Sequence, residues 1–253
     1  MLYLHKELLS SFTRSAPERP APQDWPAIMA KYAREARHTA LKDFYLSGVP
    51  APDTPISDVP LLAMDFETTG LDTRRDDIVS IGLIPMSLLR IRLQESQHWI
   101  LNPRADLRKE SVVIHGITHS TVARAPDLNV VLIKLLEMMA GKVMVVHHKG
   151  IEQHFLAAAL KERIGEGIVF PCIDTLSLEA GFIRGQQDTG LLRRFCRRKP
   201  QCSLRLADSR ARYNLPHYTA HNALTDALGC AELLQAQVAH HFSSVPLIRE
   251  LWG

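Results

Sequence analysis

Four acidic residues and one histidine have the types and spacing to do chemistry. Asp65 and Glu67 stand two apart in Leu61-Leu62-Ala63-Met64-Asp65-Phe66-Glu67-Thr68-Thr69-Gly70, a run that is apolar up to Phe66 except at Asp65. On a strand, residues i and i+2 share a face, so both carboxylates project side by side at the strand's end. Uncompensated carboxylates beside a core are costly, and a divalent cation is the simplest way to keep such a pair ionised. Glu152 follows the apolar stretch that ends at His147-His148, and Asp226 stands in the first turn of the last long helix, five residues after His221. Five residues turn a helix by about 140°, so His221 can approach Asp226 only from the preceding loop, with Asn222 as the helix cap. Four carboxylates and a histidine suit two-metal phosphoryl chemistry: one cation lowers the pKa of an attacking water, and a second, about 4 Å away, stabilises the leaving oxygen. Oxygen ligands select Mg²⁺ or Mn²⁺ over zinc. A histidine, with an intrinsic pKa of about 6.5, can take the water's proton near neutral pH. Taken alone, Asp65 and Glu67 also read as two surface acids at a strand end.

These residues need a scaffold, and the pattern supplies an α/β one. Strands are expected at 61–66, 77–85 and 94–101, joined by short connections as an antiparallel meander. The fully apolar middle of 142–148 reads as a central parallel strand, and 169–173 as a further short one. Helices are expected at 129–140, 152–164, 203–213 and 222–240, with Asp174-Thr175 capping another. Strands followed by alternating helices and strands imply a mixed sheet with helices on both faces. Upstream, Asp24-Trp25-Pro26 is a good helix start, and apolar residues at near-helical spacing extend that helix to about Leu46. The Pro-rich stretch 47–60 reads as a semi-rigid linker. The expected organisation is an N-terminal helical extension with linker (1–60), a main domain (61–245) and a C-terminal tail (246–253). The N-terminal helix reads first as a brace on the main domain, and second as a lid or partner-binding arm.

Composition narrows the function classes. The chain has 253 residues, 46% hydrophobic and 23% charged, as in an ordinary soluble globular protein. Its net charge of +3 and sequence pI of about 8.7 suit a polyanionic partner without demanding one. Cys172, Cys196, Cys202 and Cys230 form no C-x-x-C pair, which suggests reduced thiols in the cytoplasm. Zinc between Cys196, Cys202 and His217 is the less favoured alternative. No run of about 18 apolar residues exists to span a membrane, and His5, Lys6 and Glu7 interrupt the pattern a signal peptide would need. Arg193, Arg194, Arg197, Arg198 and Lys199 place five positive charges in seven residues, either a solvated helix face or a phosphate-contacting patch. The apolar positions of 129–140 serve the core on this reading, ahead of a dimer.

At these residues the sequence resembles the DEDDh exonucleases, the superfamily of the polymerase III epsilon subunit, RNase T and oligoribonuclease. The resemblance covers roughly residues 61–240. It rests on Asp65-Phe66-Glu67-Thr68-Thr69-Gly70, on Glu110 with Ile114-His115-Gly116-Ile117-Thr118, on Pro171-Cys172-Ile173-Asp174-Thr175, and on His221-Asn222-Ala223-Leu224-Thr225-Asp226-Ala227. It implies a ribonuclease-H-like fold, hydrolysis of DNA or RNA from a single-stranded 3′ end, and release of 5′-mononucleotides. It also implies two Mg²⁺ or Mn²⁺ ions on Asp65, Glu67 and Asp226, with His221 as general base and Thr68, Glu110 and His115 holding the terminal nucleotide. A polymerase or another replication or repair protein, acting in trans, is the partner it suggests. The second motif departs from the family pattern of His-Asn-Ala-x-Phe-Asp: here stands His147-His148-Lys149-Gly150-Ile151-Glu152. Glu152 replaces a metal-binding Asp with a side chain one methylene longer, and His148 replaces an Asn near the substrate strand. The expectation is an active enzyme, slower or more Mn²⁺-dependent than its relatives. The alternative is a weakened or inactive nucleic-acid- or partner-binding module on the same fold.

Overall fold

A computed structural model describes residues 23–189 and 202–252. Its centre is β1 (Leu61–Thr68), which pairs antiparallel with β2 (Ile78–Ser87) and parallel with β5 (Val143–Val146). β6 (Cys172–Asp174) adds parallel to β5. On its far side β2 carries two short strands, β3 (Arg90–Ile91) near its end and β4 (Gln97–Ile100) across its middle. The expected mixed sheet is therefore present, with six strands among the described residues. β1 and β2 run two residues past their expected ends, to Thr68 and Ser87, β4 and β5 are shorter than expected, β6 lies later, at Cys172–Asp174, and β3 is not among the expected strands.

Alternation along β1 decides which helices meet which face. Leu62, Met64 and Phe66 point into one core, shared with α1 (Trp25–Glu35), α2 (Thr39–Leu46), α5 (Leu128–Met139) and α6 (Lys149–Ile164). Leu61 and Ala63 point into the other, shared with Ala227, Cys230, Ala231 and Leu234 of α9 (Ala223–His241) and with Ile248, Leu251 and Trp252. Asp65 and Glu67 continue the second series, so the pleat itself aims both at α9. The other α-helices among the described residues are α3 (Lys109–His115), α4 (His119–Val122), α7 (Thr175–Thr189) and α8 (Leu206–Arg212). No helix among the described residues is long and apolar enough to cross a membrane.

Several expectations are corrected. The N-terminal helix is two helices: the Arg37 and His38 backbone N–H groups both donate to the Glu166 carboxylate at 2.9 Å, and Ala36 and His38 are extended. A tertiary acceptor thus replaces the helical carbonyls that the periodicity alone would supply. α6 starts at Lys149, not 152, because His148 takes the left-handed conformation (φ 94°) and turns the chain straight from β5 into the helix. α3 and α4 fill a stretch that carried no assignment. The linker holds a 3-10 turn (Ile56–Asp58) with Ile56 and Val59 buried. Residues 246–252 do not trail off: Trp252 forms a β-bridge with Ile173, and Ile248, Leu251 and Trp252 are buried. Cys172 and Cys230 are buried free thiols and Cys202 an exposed one. Cys196 and the cationic run 193–199 lie outside the described residues.

Candidate active site

The C-terminal end of β1 delivers Asp65 and Glu67 to the start of α9. What lets α9 come so close is Gly82, the β2 residue opposite Asp65. A Cβ at Gly82 would fall on the Ala223 carbonyl and the Leu224 nitrogen. The first turn of α9 therefore lies against bare backbone, and Asp226 reaches the β1 carboxylates. Among the described residues, Asp65, Glu67 and Asp226 form a group whose ligand oxygens all lie within 4.8 Å of one another. A glycine inside a strand pattern signals a close backbone approach. Gly82 carried that signal in the sequence and was overlooked.

Asp226 is oriented by its own helix start. Asn222 caps α9, its Oδ1 accepting from the Thr225 N–H at 3.1 Å. Asp226 Oδ2 accepts from the His221 N–H at 2.7 Å and the Asn222 N–H at 3.2 Å. The expected loop position of His221 is correct, but its main chain is not free to swing: it is tied to Asp226 and held at φ 70°. The imidazole remains exposed.

Three carboxylates this close cannot share negative charge without help. Burial first, then the neighbouring charges of Glu152, Asp226 and Glu67, raise the Asp65 carboxyl well above its usual range. Glu67 is pushed up to about 8 by burial and by Asp226. Burial raises Asp226 too, against the lowering effect of the His221 N–H. Glu152, 1% exposed in the first turn of α6, is raised by burial and by Asp174. Its charge bears on Asp65, yet it stands outside the group of three, and its Oε2 is buried with no hydrogen-bond partner. An unpartnered buried carboxylate oxygen beside a crowded acidic group suits a divalent cation, whose charge would relieve all four.

The other expected residues are carried by β1, α3 and the start of α6. Thr68 ends β1, its hydroxyl donating to the Gly70 carbonyl at 2.6 Å. Glu110 is exposed in the first turn of α3, and His115 ends that helix, its Nδ1 accepting from the Ile117 N–H at 3.0 Å. Burial, then the charge of His221, lowers the His115 pKa. His148 stands at the start of α6, its N–H donating to Asp174 Oδ1 at 2.9 Å. Asp174 is the expected helix cap: it also accepts from the Leu176 N–H and the Ser177 hydroxyl.

A mixed sheet with acidic residues clustered at the end of its central strand has the ligand set of a divalent-cation site. The chain belongs to the RNase T exonuclease family, whose model matches residues 62–234. The resemblance to DEDDh exonucleases is thereby borne out. The chain is similar to the PolC-type DNA polymerase III of Thermotoga maritima, 28% identical over 52% of this chain and 10% of that protein. It is also similar to the DNA polymerase III epsilon subunit of Treponema pallidum, 25% identical over 72% of this chain and 78% of that subunit. It thus spans only about a tenth of the length of the PolC-type relative. Among solved structures, the nuclease domain of the DEDDh member 3′hExo, bound to rAMP, superposes with a TM-score of 0.60. At 14% identity over 78% of this chain and 98% of that domain, that likeness shows the fold.

Proposed function

We propose that this chain is a metal-dependent 3′–5′ exonuclease that hydrolyses the terminal phosphodiester bond of a single-stranded DNA or RNA end and releases 5′-mononucleotides. The observation that carries the reading is the group of Asp65, Glu67 and Asp226, built from two elements that are distant in sequence, with His221 tied to Asp226. Asp65, Glu67, Asp226 and Glu152 would hold two Mg²⁺ or Mn²⁺ ions. When bound, these supply Lewis-acid stabilisation of the phosphoryl oxygens and lower the pKa of the attacking water. His221 accepts that water's proton at its exposed imidazole. Thr68 and Glu110 flank the terminal nucleotide, His115 closes its side near His221, and His148 lies along the strand. The residues for this chemistry fall in 61–245, with the helices Trp25–Glu35 and Thr39–Leu46 bracing them. The names of the relatives support a polymerase or other replication protein as partner, and the free thiols of Cys172, Cys202 and Cys230 support a cytoplasmic setting.

The test is release of mononucleotides from a 3′-labelled single strand with Mg²⁺ or Mn²⁺. No release with either metal, while Glu152→Asp restores it, overturns native activity. One observation favours a second reading: Glu152 stands outside the group of three. A nucleic-acid- or partner-binding module would bind without metal, keep binding in Asp65→Ala and turn nothing over.

A further inference from the structure

We propose that the Asp76–Arg108 ion pair is the positioning device of the nucleotide pocket, locking the β1–β2 loop that follows Thr68 to the helix that carries Glu110 and His115. This rests on the exonuclease reading above. The Asp76 side chain is 1% exposed, and its carboxylate gathers the loop around itself. The Thr69 hydroxyl donates to Oδ1 at 3.2 Å, and the Asp72 N–H to Oδ2 at 2.9 Å. Gly70 lies so close that a Cβ there would sit 2.7 Å from Oδ1. Into this knot comes Arg108, its Nη2 2.7 Å from Asp76 Oδ1.

Arg108 is the residue that starts α3. Its carbonyl accepts from the Val112 N–H at 3.1 Å and the Ser111 hydroxyl at 2.8 Å, so fixing Arg108 fixes the helix start. α3 needs such a fix. A seven-residue helix with no side-chain cap is marginal by itself. Its contact with a hydrophobic cluster comes through Val112, and Ile117 just beyond it, against the small group of Val79, Leu107 and Val122. Where Glu110 and His115 stand relative to Thr68 is therefore set by the ion pair more than by the core.

Arg108 is half exposed, and direct contact with a substrate phosphate is the competing role. The two roles differ in what Asp76 does. As an anchor, Asp76 is needed; as a mere neighbour, its neutralisation frees Arg108 for phosphate. Arg108→Ala, Arg108→Lys, Asp76→Asn and the double variant are compared by steady-state release from a 3′-labelled single strand. Binding of the same strand is measured with Ca²⁺ by fluorescence anisotropy. Arg108→Ala and Asp76→Asn each raise KM and Kd about threefold to tenfold, and kcat stays within about twofold. The double variant is no worse than either single one, and Arg108→Lys keeps most of the affinity. Unchanged or tighter binding in Asp76→Asn, additive losses, or a fall in kcat at constant KM overturns the proposal. A wild-type chain that binds but releases nothing sinks the exonuclease reading alone, and the Kd series still decides the tether. One that does neither overturns both.

Discussion

The acidic residues make this site an unstable arrangement without a cation, and that instability can be measured. Glu67 has a folded-state pKa of about 8 against an ordinary 4.5. A carboxyl raised in this way favours the fold while protonated. Its contribution is full below about 4.5 and is lost as pH rises through about 8. The melting temperature of the metal-free protein should therefore fall between about pH 5 and pH 8.5. Added Mg²⁺ or Mn²⁺ should raise it by a few degrees, more at the upper pH, because the ion binds only the ionised carboxylates. Equal metal-induced shifts at both ends of that range would mean that the carboxylates ionise without metal. Glu152 poses the second residue-scale question. Mg²⁺ holds near-ideal octahedral geometry at about 2.0–2.1 Å, so one extra methylene should disturb Mg²⁺ more than Mn²⁺. Glu152→Asp should raise the Mg²⁺-supported rate and lower the Mn²⁺-to-Mg²⁺ rate ratio. Glu152→Ala should cut kcat by about 10- to 100-fold, and an unchanged rate there would remove Glu152 from the site.

At the scale of elements, Gly82 links the sheet to the site. Adding one methyl in Gly82→Ala drives it into the Ala223–Leu224 backbone, which is main chain and cannot rotate away. The start of α9 should retreat, taking Asp226 from Asp65 and Glu67. The expected outcome is a stability loss of about 1–3 kcal/mol with at least about a tenfold loss of kcat and a smaller metal-induced rise in melting temperature. A variant that loses stability but keeps both metal response and rate would show that Asp226 need not sit so close. The elements also show what could be read in the sequence. Asp24 and Asn222 were legible as caps because capping is local chemistry, and both side chains accept the expected N–H bonds. Asp65 and Glu67 were legible because strand alternation is local too. The break at Ala36–His38 was not, since its cause is Glu166, well over a hundred residues away. The left-handed turn at His148 was missed for a similar reason: it is tied to Asp174, at the end of a different strand. That Glu152 is buried with its Oε2 unpartnered, and not at a solvated strand end, depends on the packing of α6 and could not be read from spacing.

At the scale of the whole molecule, the sheet separates two cores, and the active site belongs to the one completed by α9 and residues 248–252. From the sequence, 246–253 reads as a tail beyond the last helix. In the fold, the Thr54 carbonyl accepts from the Ile248 N–H at 2.9 Å, and the Pro246 carbonyl from the Ile56 N–H at 3.0 Å. The segment therefore clasps the stretch leading into β1, while Trp252 covers β6 through its bridge to Ile173. Ile248, Leu251 and Trp252 are 0%, 6% and 5% exposed. At about 1.5–3 kcal/mol for each buried apolar side chain, removing them costs on the order of 5–8 kcal/mol, comparable to the whole stability of a typical domain. Ending the chain after Val245 should therefore leave a protein that unfolds cooperatively only at a much lower temperature, if it folds at all. The point substitution Trp252→Ala keeps the question answerable. It should cost about 3–5 kcal/mol and weaken metal-dependent stabilisation in step, because the same core seats the helix that carries Asp226. A Trp252→Ala protein with wild-type melting temperature and metal response would return these residues to the status of a tail.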